Sequence, residues 1–182
     1  MFLLVCLAGC SFSFSEPVRT IPPTSTSAPA EYQLGPGDQV RVNVFNQANL
    51  SGDFVVDGGG FVALPLVGPV QANGGTQREL EVAIANALTS SNLLVNPNVT
   101  VQIIQFRPFY ILGEVSSPGA YPFTTGLTVR NAVAAARGFT YRANTRRVYI
   151  QHAGERDEHL YELTPSTPVS PGDTIRIPER LF

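Results

Sequence analysis

Two aspartates occupy matched settings in this chain. Asp38 ends Leu34-Gly35-Pro36-Gly37-Asp38 and Asp173 ends Val169-Ser170-Pro171-Gly172-Asp173. Each is followed by a polar residue and then by β-branched residues around an arginine, Val40-Arg41-Val42 and Ile175-Arg176-Ile177. A pair of carboxylates can do acid–base work on a glycosidic bond. The Pro-Gly step before each offers a plainer role. Pro at i+1 and Gly at i+2 make a type II turn, and the aspartate caps that turn through its side chain. The turn accounts for both carboxylates, so no catalytic residue is assigned. His152 and His159 are the only histidines and no second-ligand spacing surrounds them, so neither a metal nor a cofactor is expected. No nucleophile-elbow sequence supports a serine triad. Asp57-Gly58-Gly59-Gly60 is read as a turn; a phosphate cradle would need a helix start after it. Arg142, Arg146 and Arg147 form a small basic group that suits an acidic polymer, a neighbouring subunit or plain solvent. Phe106, Phe109, Tyr110, Tyr121, Phe123, Phe139, Tyr141 and Tyr149 crowd the second half, as core or as platforms for sugar rings.

A different chemistry lies at the front. Leu7-Ala8-Gly9-Cys10 closes an apolar run that begins at Phe2. An apolar residue, two small residues and a cysteine follow the order of a bacterial lipobox, which makes Cys10 the lipidation site. Each buried methylene contributes about 0.8 kcal/mol, so two or more acyl chains hold where one barely does. The run is far shorter than the roughly 20 residues of a membrane span and fits a secretory signal segment. No Lys or Arg follows Met1, so either translation starts upstream or the signal is atypical. The bland reading is an accidental apolar tip with a free thiol. In the bacterial lipoproteins that this front resembles, Asp after the cysteine favours inner-membrane retention, and Ser11 implies the outer membrane instead. Cys6 and Cys10 are the only cysteines, so no disulfide staples the processed chain.

Residues 11–31 read as a linker, with Pro17, Pro22, Pro23 and Pro29 among Ser and Thr. The full chain is 43% hydrophobic and 14% charged, enough to bury a core beyond the linker. The net charge is −2 and the arginines are scattered, which argues against nucleic acid as a partner. Alternating valines at 40, 42 and 44 predict a strand, and further short strands are expected at 53–57 and 61–66. Thr76-Gln77-Arg78-Glu79 is a capping box opening a helix whose apolar face is Leu80, Ala83, Ile84, Ala87 and Leu88. A strand at 98–106 follows, and Arg107-Pro108 marks a boundary, since Pro108 cannot donate to a central ladder. The second unit reads as strands at 109–114 and 120–123 joined by a turn at Ser116-Ser117-Pro118-Gly119. A helix at about 128–137 is stopped by Gly138 as C′ glycine. Strands at 148–152, 160–163 and 173–177 complete it. The fold class is α+β, in two β-rich units with one packed helix each.

Ordered along the chain, these pieces carry a resemblance. Tyr32-Gln33-Leu34-Gly35-Pro36-Gly37-Asp38 with Val40, Val42, Val44 and Phe45 looks like the opening of the polysaccharide-export domain of Wza-type outer-membrane lipoproteins. Val56-Asp57-Gly58, Leu64-Pro65-Leu66-Val67-Gly68-Pro69-Val70 and Ala72-Asn73-Gly74-Gly75-Thr76 continue it. Tyr110-Ile111-Leu112-Gly113-Glu114-Val115 with Pro118-Gly119-Ala120-Tyr121 resembles the start of a soluble-ligand-binding β-grasp (SLBB) domain. Ala136-Arg137-Gly138-Phe139 and the closing Pro171-Gly172-Asp173 fit the same module. The division that follows is signal and lipobox at 1–10, linker at 11–31, export domain at 32–106 and SLBB domain at 107–182.

The resemblance implies a short family member, with one β-grasp unit and without the C-terminal amphipathic helix that builds a membrane barrel in the large type. It implies a lipid-anchored protein on the periplasmic side of the outer membrane, without catalysis, whose homo-oligomeric ring passes capsular or exopolysaccharide. The partners implied are the polysaccharide, an inner-membrane co-polymerase and a separate outer-membrane pore protein. Two rivals stay open. One is a monomeric β-grasp lipoprotein that holds a small sugar or cofactor ligand. The other is an envelope hydrolase, which would need a carboxylate pair in a cleft.

Overall fold

The structure is a computed structural model and describes residues 31–180. Cys10 and the predicted signal and linker up to residue 30 lie outside the described residues. The alternation at 40–44 forms β1 (Gln39–Val44), with Val40, Val42 and Val44 buried. It pairs antiparallel with β2 (Gly52–Val55) on one side. Strand β3 (Phe61–Leu64) follows, shorter than the sequence predicts. At Leu66 the backbone turns to φ 65° and the chain reverses into β4 (Gly68–Gln71). Sequence reading carries the first strand on through Leu66 and has no strand at 68–71, because the reversal is carried by a leucine where glycine or asparagine would be the signal. The capping box opens α1 (Gln77–Ser90) with both reciprocal bonds made, Glu79 N–H to Thr76 Oγ1 and Thr76 N–H to Glu79 Oε2. Leu80, Ile84 and Leu88 face the first core. Strand β5 (Val99–Gln105) then pairs with the free side of β1, giving the order β2-β1-β5.

The second unit is a five-stranded mixed sheet. Its strands are β6 (Phe109–Gly113), β7 (Gly119–Tyr121), β8 (Arg147–Gln151), β9 (His159–Glu162) and β10 (Thr174–Ile177). The order is β7-β6-β10-β8-β9, with β10 parallel to β6 and every other pair antiparallel. The helix α2 (Val129–Ala135) supplies Val129, Ala132 and Val133 to the core beneath it. Two corrections concern its surroundings. The residue in the C′ position is Arg137, at φ 64°, and Gly138 stands one place later. Gly138 N–H bonds Val133 O and Arg137 N–H bonds Ala134 O, which is the Schellman closure. The β6–β7 reversal is not confined to Ser116-Ser117-Pro118-Gly119. Ser116 and Ser117 N–H bond Gly138 O and Ala136 O, so the end of α2 holds the connection, and Gly119 already lies in β7.

The buried residues fall into two clusters. One draws on residues 34–101 and the other on residues 109–177.

Candidate functional site

Both Pro-Gly-Asp segments close as turns. Asp38 N–H bonds Gly35 O at 3.1 Å and Asp173 N–H bonds Ser170 O at 3.2 Å, with Gly37 at φ 93° and Gly172 at φ 83°. A side chain is disfavoured in that backbone region, so glycine is needed at each turn's third position. Asp38 and Asp173 are completely buried. One oxygen of each carboxylate caps its own turn, taking Gly35 N–H at 2.8 Å and Ser170 N–H at 2.8 Å.

Arg107 brings the two turns together. Its backbone N–H donates to Asp38 Oδ1 at 2.8 Å, while its Nε donates to Pro171 O at 3.0 Å. The guanidinium lies against Gly35 so closely that a Cβ there would come within 1.6 Å of Nη1, and a Cβ on Gly172 would stand 2.9 Å from Nε. The boundary residue is therefore a bridge between the first turn of one unit and the last turn of the other. An edge-to-face series runs beside it. Tyr32 meets Phe106 at 5.0 Å and Phe106 meets Phe123 at 5.4 Å. The Tyr32 hydroxyl donates to Asp38 Oδ2 at 2.7 Å. Burial first, and then that carboxylate, push the Tyr32 phenol well above its ordinary pKa.

At the second turn the other Asp173 oxygen lies 3.1 Å from His152 Nδ1, and His152 Nε2 lies 3.0 Å from the Tyr161 hydroxyl. The bond to Asp173 raises the His152 pKa, against the opposing effect of partial burial. His159 pairs with Glu155 at 3.0 Å. No cluster among the described residues has three groups that could ligate a metal.

A cleft of about 640 Å³ opens beside the bridge, lined by Gln33, Pro36, Asn73, Arg107, Tyr110 and Gly172 among others. No Asp or Glu lines it. The two carboxylates that invited a catalytic reading are buried behind their turns, each fully engaged by donors. Of the crowded aromatics, Phe109 is core and stacks on Tyr121 at 5.9 Å, Phe106 and Phe123 seal the junction, and Tyr141 stands 85% exposed. Arg142 pairs with Glu179, while Arg146 and Arg147 are exposed. Pro118 precedes β7, and Gly119 opens it opposite Ile111. Sequence reasoning missed the role of Arg107. A lone arginine before a proline has no periodicity to flag it, and only its position between two echoing turns points to it.

Comparison with known proteins agrees with this two-unit layout. Residues 26–104 match the family model described as polysaccharide biosynthesis/export protein, and residues 108–159 match the SLBB domain. Residues 26–104 are a polysaccharide biosynthesis/export domain. The polysaccharide-export domain and the β-grasp SLBB domain stand in that order, in an α+β fold. The exopolysaccharide production protein ExoF of Rhizobium meliloti (strain 1021) is 32% identical over 173 residues, covering 83% of this chain and 41% of ExoF. The polysialic acid transport protein KpsD of Escherichia coli is 32% identical over 114 residues, 59% of this chain and 20% of KpsD. The EPS I polysaccharide export outer membrane protein EpsA of Ralstonia solanacearum is 31% identical over 90 residues, 48% of this chain and 23% of EpsA. The chain thus spans less than half the length of each of these relatives.

Proposed function

We propose that this chain is a non-catalytic component of a polysaccharide export system, acting as a lipid-anchored collar through which capsular or exopolysaccharide passes. The observation that carries the reading is the ordered pair of matched domains, export then SLBB, over residues 26–159. The names of ExoF, KpsD and EpsA support export of a secreted polymer, and EpsA's name supports the outer membrane. Engagement of Asp38 and Asp173 by their turns supports passage without bond cleavage. In this reading, residues 32–106 and 107–182 are the two domains and acylated Cys10 tethers them to the periplasmic leaflet of the outer membrane. Head-to-tail contacts whose rotation closes build a homo-oligomeric ring. No helix among the described residues is long and apolar enough to cross a membrane. An inner-membrane co-polymerase and a separate outer-membrane pore protein complete the route. Deletion of the gene, with secreted polysaccharide and envelope location of the mature protein measured together, tests the proposal. Loss of polymer from the medium is expected, and full secretion overturns it.

A second reading draws on the 640 Å³ cleft, which is large enough for a small sugar. Saturable binding of a monosaccharide by a strictly monomeric protein, with secretion intact on deletion, would favour it.

A further inference from the structure

A basic surface lies at the end of the second unit, away from the Arg107 bridge. Residues 142–144 run beside residues 178–180. Asn144 N–H bonds Pro178 O and Arg180 N–H bonds Arg142 O, each at 2.8 Å. The Asn144 side chain then turns the backbone, accepting Arg146 N–H at 2.9 Å and Arg147 N–H at 3.2 Å. Three exposed arginines, Arg146, Arg147 and Arg180, are thereby presented from a backbone held by hydrogen bonds. None of them has a carboxylate partner among the described residues. Two hollows adjoin there. One of about 460 Å³ is bordered by Tyr141, Arg146 and Arg180, and one of about 350 Å³ by Arg146, Arg147, Tyr149 and Glu179, whose carboxylate is paired with Arg142. Arg146 borders both; Tyr141 is exposed, whereas Tyr149 is half-buried with the Arg176 guanidinium 4.1 Å from its ring centroid.

We propose that this surface binds an acidic saccharide chain, with the arginines meeting its carboxylates and the exposed Tyr141 meeting a ring. The inference rests on the export reading and adds a polymer class to it. Arginine forks match carboxylates bidentately, and an exposed tyrosine offers a flat apolar face at little entropic cost. Two hollows sharing one arginine suit consecutive residues of a polymer better than a single small ligand. A second copy of this chain is the competing partner, because residues 31–106 hold six carboxylates against two arginines. Five of those six are already engaged, however: Asp38 and Asp57 in turns, Asp53 with Arg41, Glu79 in the capping box and Glu81 on Val101 N–H. The export unit of a second copy therefore offers three arginines little beyond Glu31.

The test is titration of the full chain with oligogalacturonate, and with maltooligosaccharide of equal length as the neutral probe. Oligogalacturonate should bind and the neutral chain should not, and binding should weaken as salt rises. Arg146→Ala with Arg147→Ala should weaken it about tenfold or more, and Tyr141→Ala severalfold, with thermal unfolding unchanged because these side chains are exposed. Equal affinity for the neutral probe, or undiminished binding by the double variant, overturns the proposal. So does a double variant that changes only the sedimenting mass, which would make the surface a subunit contact. Secretion lost on gene deletion while oligogalacturonate fails to bind would leave the export reading standing and remove this one alone.

Discussion

At the first Pro-Gly turn the carboxylate's remaining oxygen accepts the Arg107 amide, and at the second the equivalent oxygen faces an imidazole. The two segments are near copies in sequence and in hydrogen-bonded geometry. Their surroundings give them different work. Asp38 takes three donors, two backbone amides and a phenol, none of which titrates in the physiological range. It ties the entry of the first unit to the residue that opens the second. Asp173 takes one amide and one histidine, so its network carries a proton that can leave. A repeated turn is thus a mounting, and the residue set opposite its spare oxygen decides what the mounting holds.

The sharpest way to break this comparison is to remove each carboxylate. Asp38→Ala leaves three donors, one buried and two partly buried, without an acceptor and should cost about 3–5 kcal/mol, whereas Asp173→Ala should cost about 2–3 kcal/mol. Denaturant midpoints of the two variants measure the difference, and equal losses would show that the turns are interchangeable. Next comes the third turn position. Gly37→Ala meets the strain of a positive φ with little crowding and should cost about 1–2 kcal/mol. Gly172→Ala also presses on Arg107 and Ala153 and should cost about 2–3 kcal/mol. Thermal melts of the pair rank them, and the opposite order would place the tighter contact at the first turn.

Arg107→Ala keeps the backbone bond to Asp38 but removes the bond to Pro171 and the packing against both turns. A loss of about 1–2 kcal/mol is expected. Unfolding followed by probes in each unit should separate into two transitions, since the retained backbone bond joins only the first. A single coincident transition would mean that the Tyr32–Phe106–Phe123 series carries the coupling by itself.

The smallest effect concerns pH. Asp173 raises the His152 pKa above its ordinary 6.5, so the imidazolium contributes stability that is complete below about pH 6.5 and fades as pH rises through the raised value. His152 is partly exposed and solvent screens the interaction. The melting temperature of the wild type, relative to His152→Gln, should therefore fall modestly between pH 6 and pH 8.5. A difference that stays flat, or grows with pH, would leave Asp173 as static as Asp38.

Much of this architecture was legible in the residues. Period-2 valines gave β1, the Thr76–Glu79 box gave the start of α1, and the Pro-Gly-Asp echo gave both turns with their aspartates. Features set by distant partners were not legible. The hairpin of β3 and β4 hides because its reversal falls on Leu66, a residue with no preference for that backbone. The stop of α2 reads one residue late because Arg137 takes the left-handed position beside a glycine that sequence logic favours. Arg107 hides because its function is a distance between residues 35 and 172, which no local window contains. Asp38 and Asp173 were readable as turn residues, but the donors that separate them, Arg107 N–H and His152, are 69 and 21 positions away.

The parallel pairing of β10 with β6 also bears on the order in which the chain can assemble. Every buried residue of the first cluster lies at or before Val101, so that unit has all its parts once about a hundred residues have emerged. The second sheet is different. Its central strand is the last of the described strands, inserted between β6 and β8, and Tyr110 must wait for Thr174. Closing so long a loop is slow relative to local pairing. Until residue 177 is available, β6 and β8 each present an open edge, and such edges invite pairing with other chains. A secretion route that delivers the chain from its N-terminus would therefore leave the SLBB unit, and with it the Arg107 bridge, as the stage most in need of a chaperone.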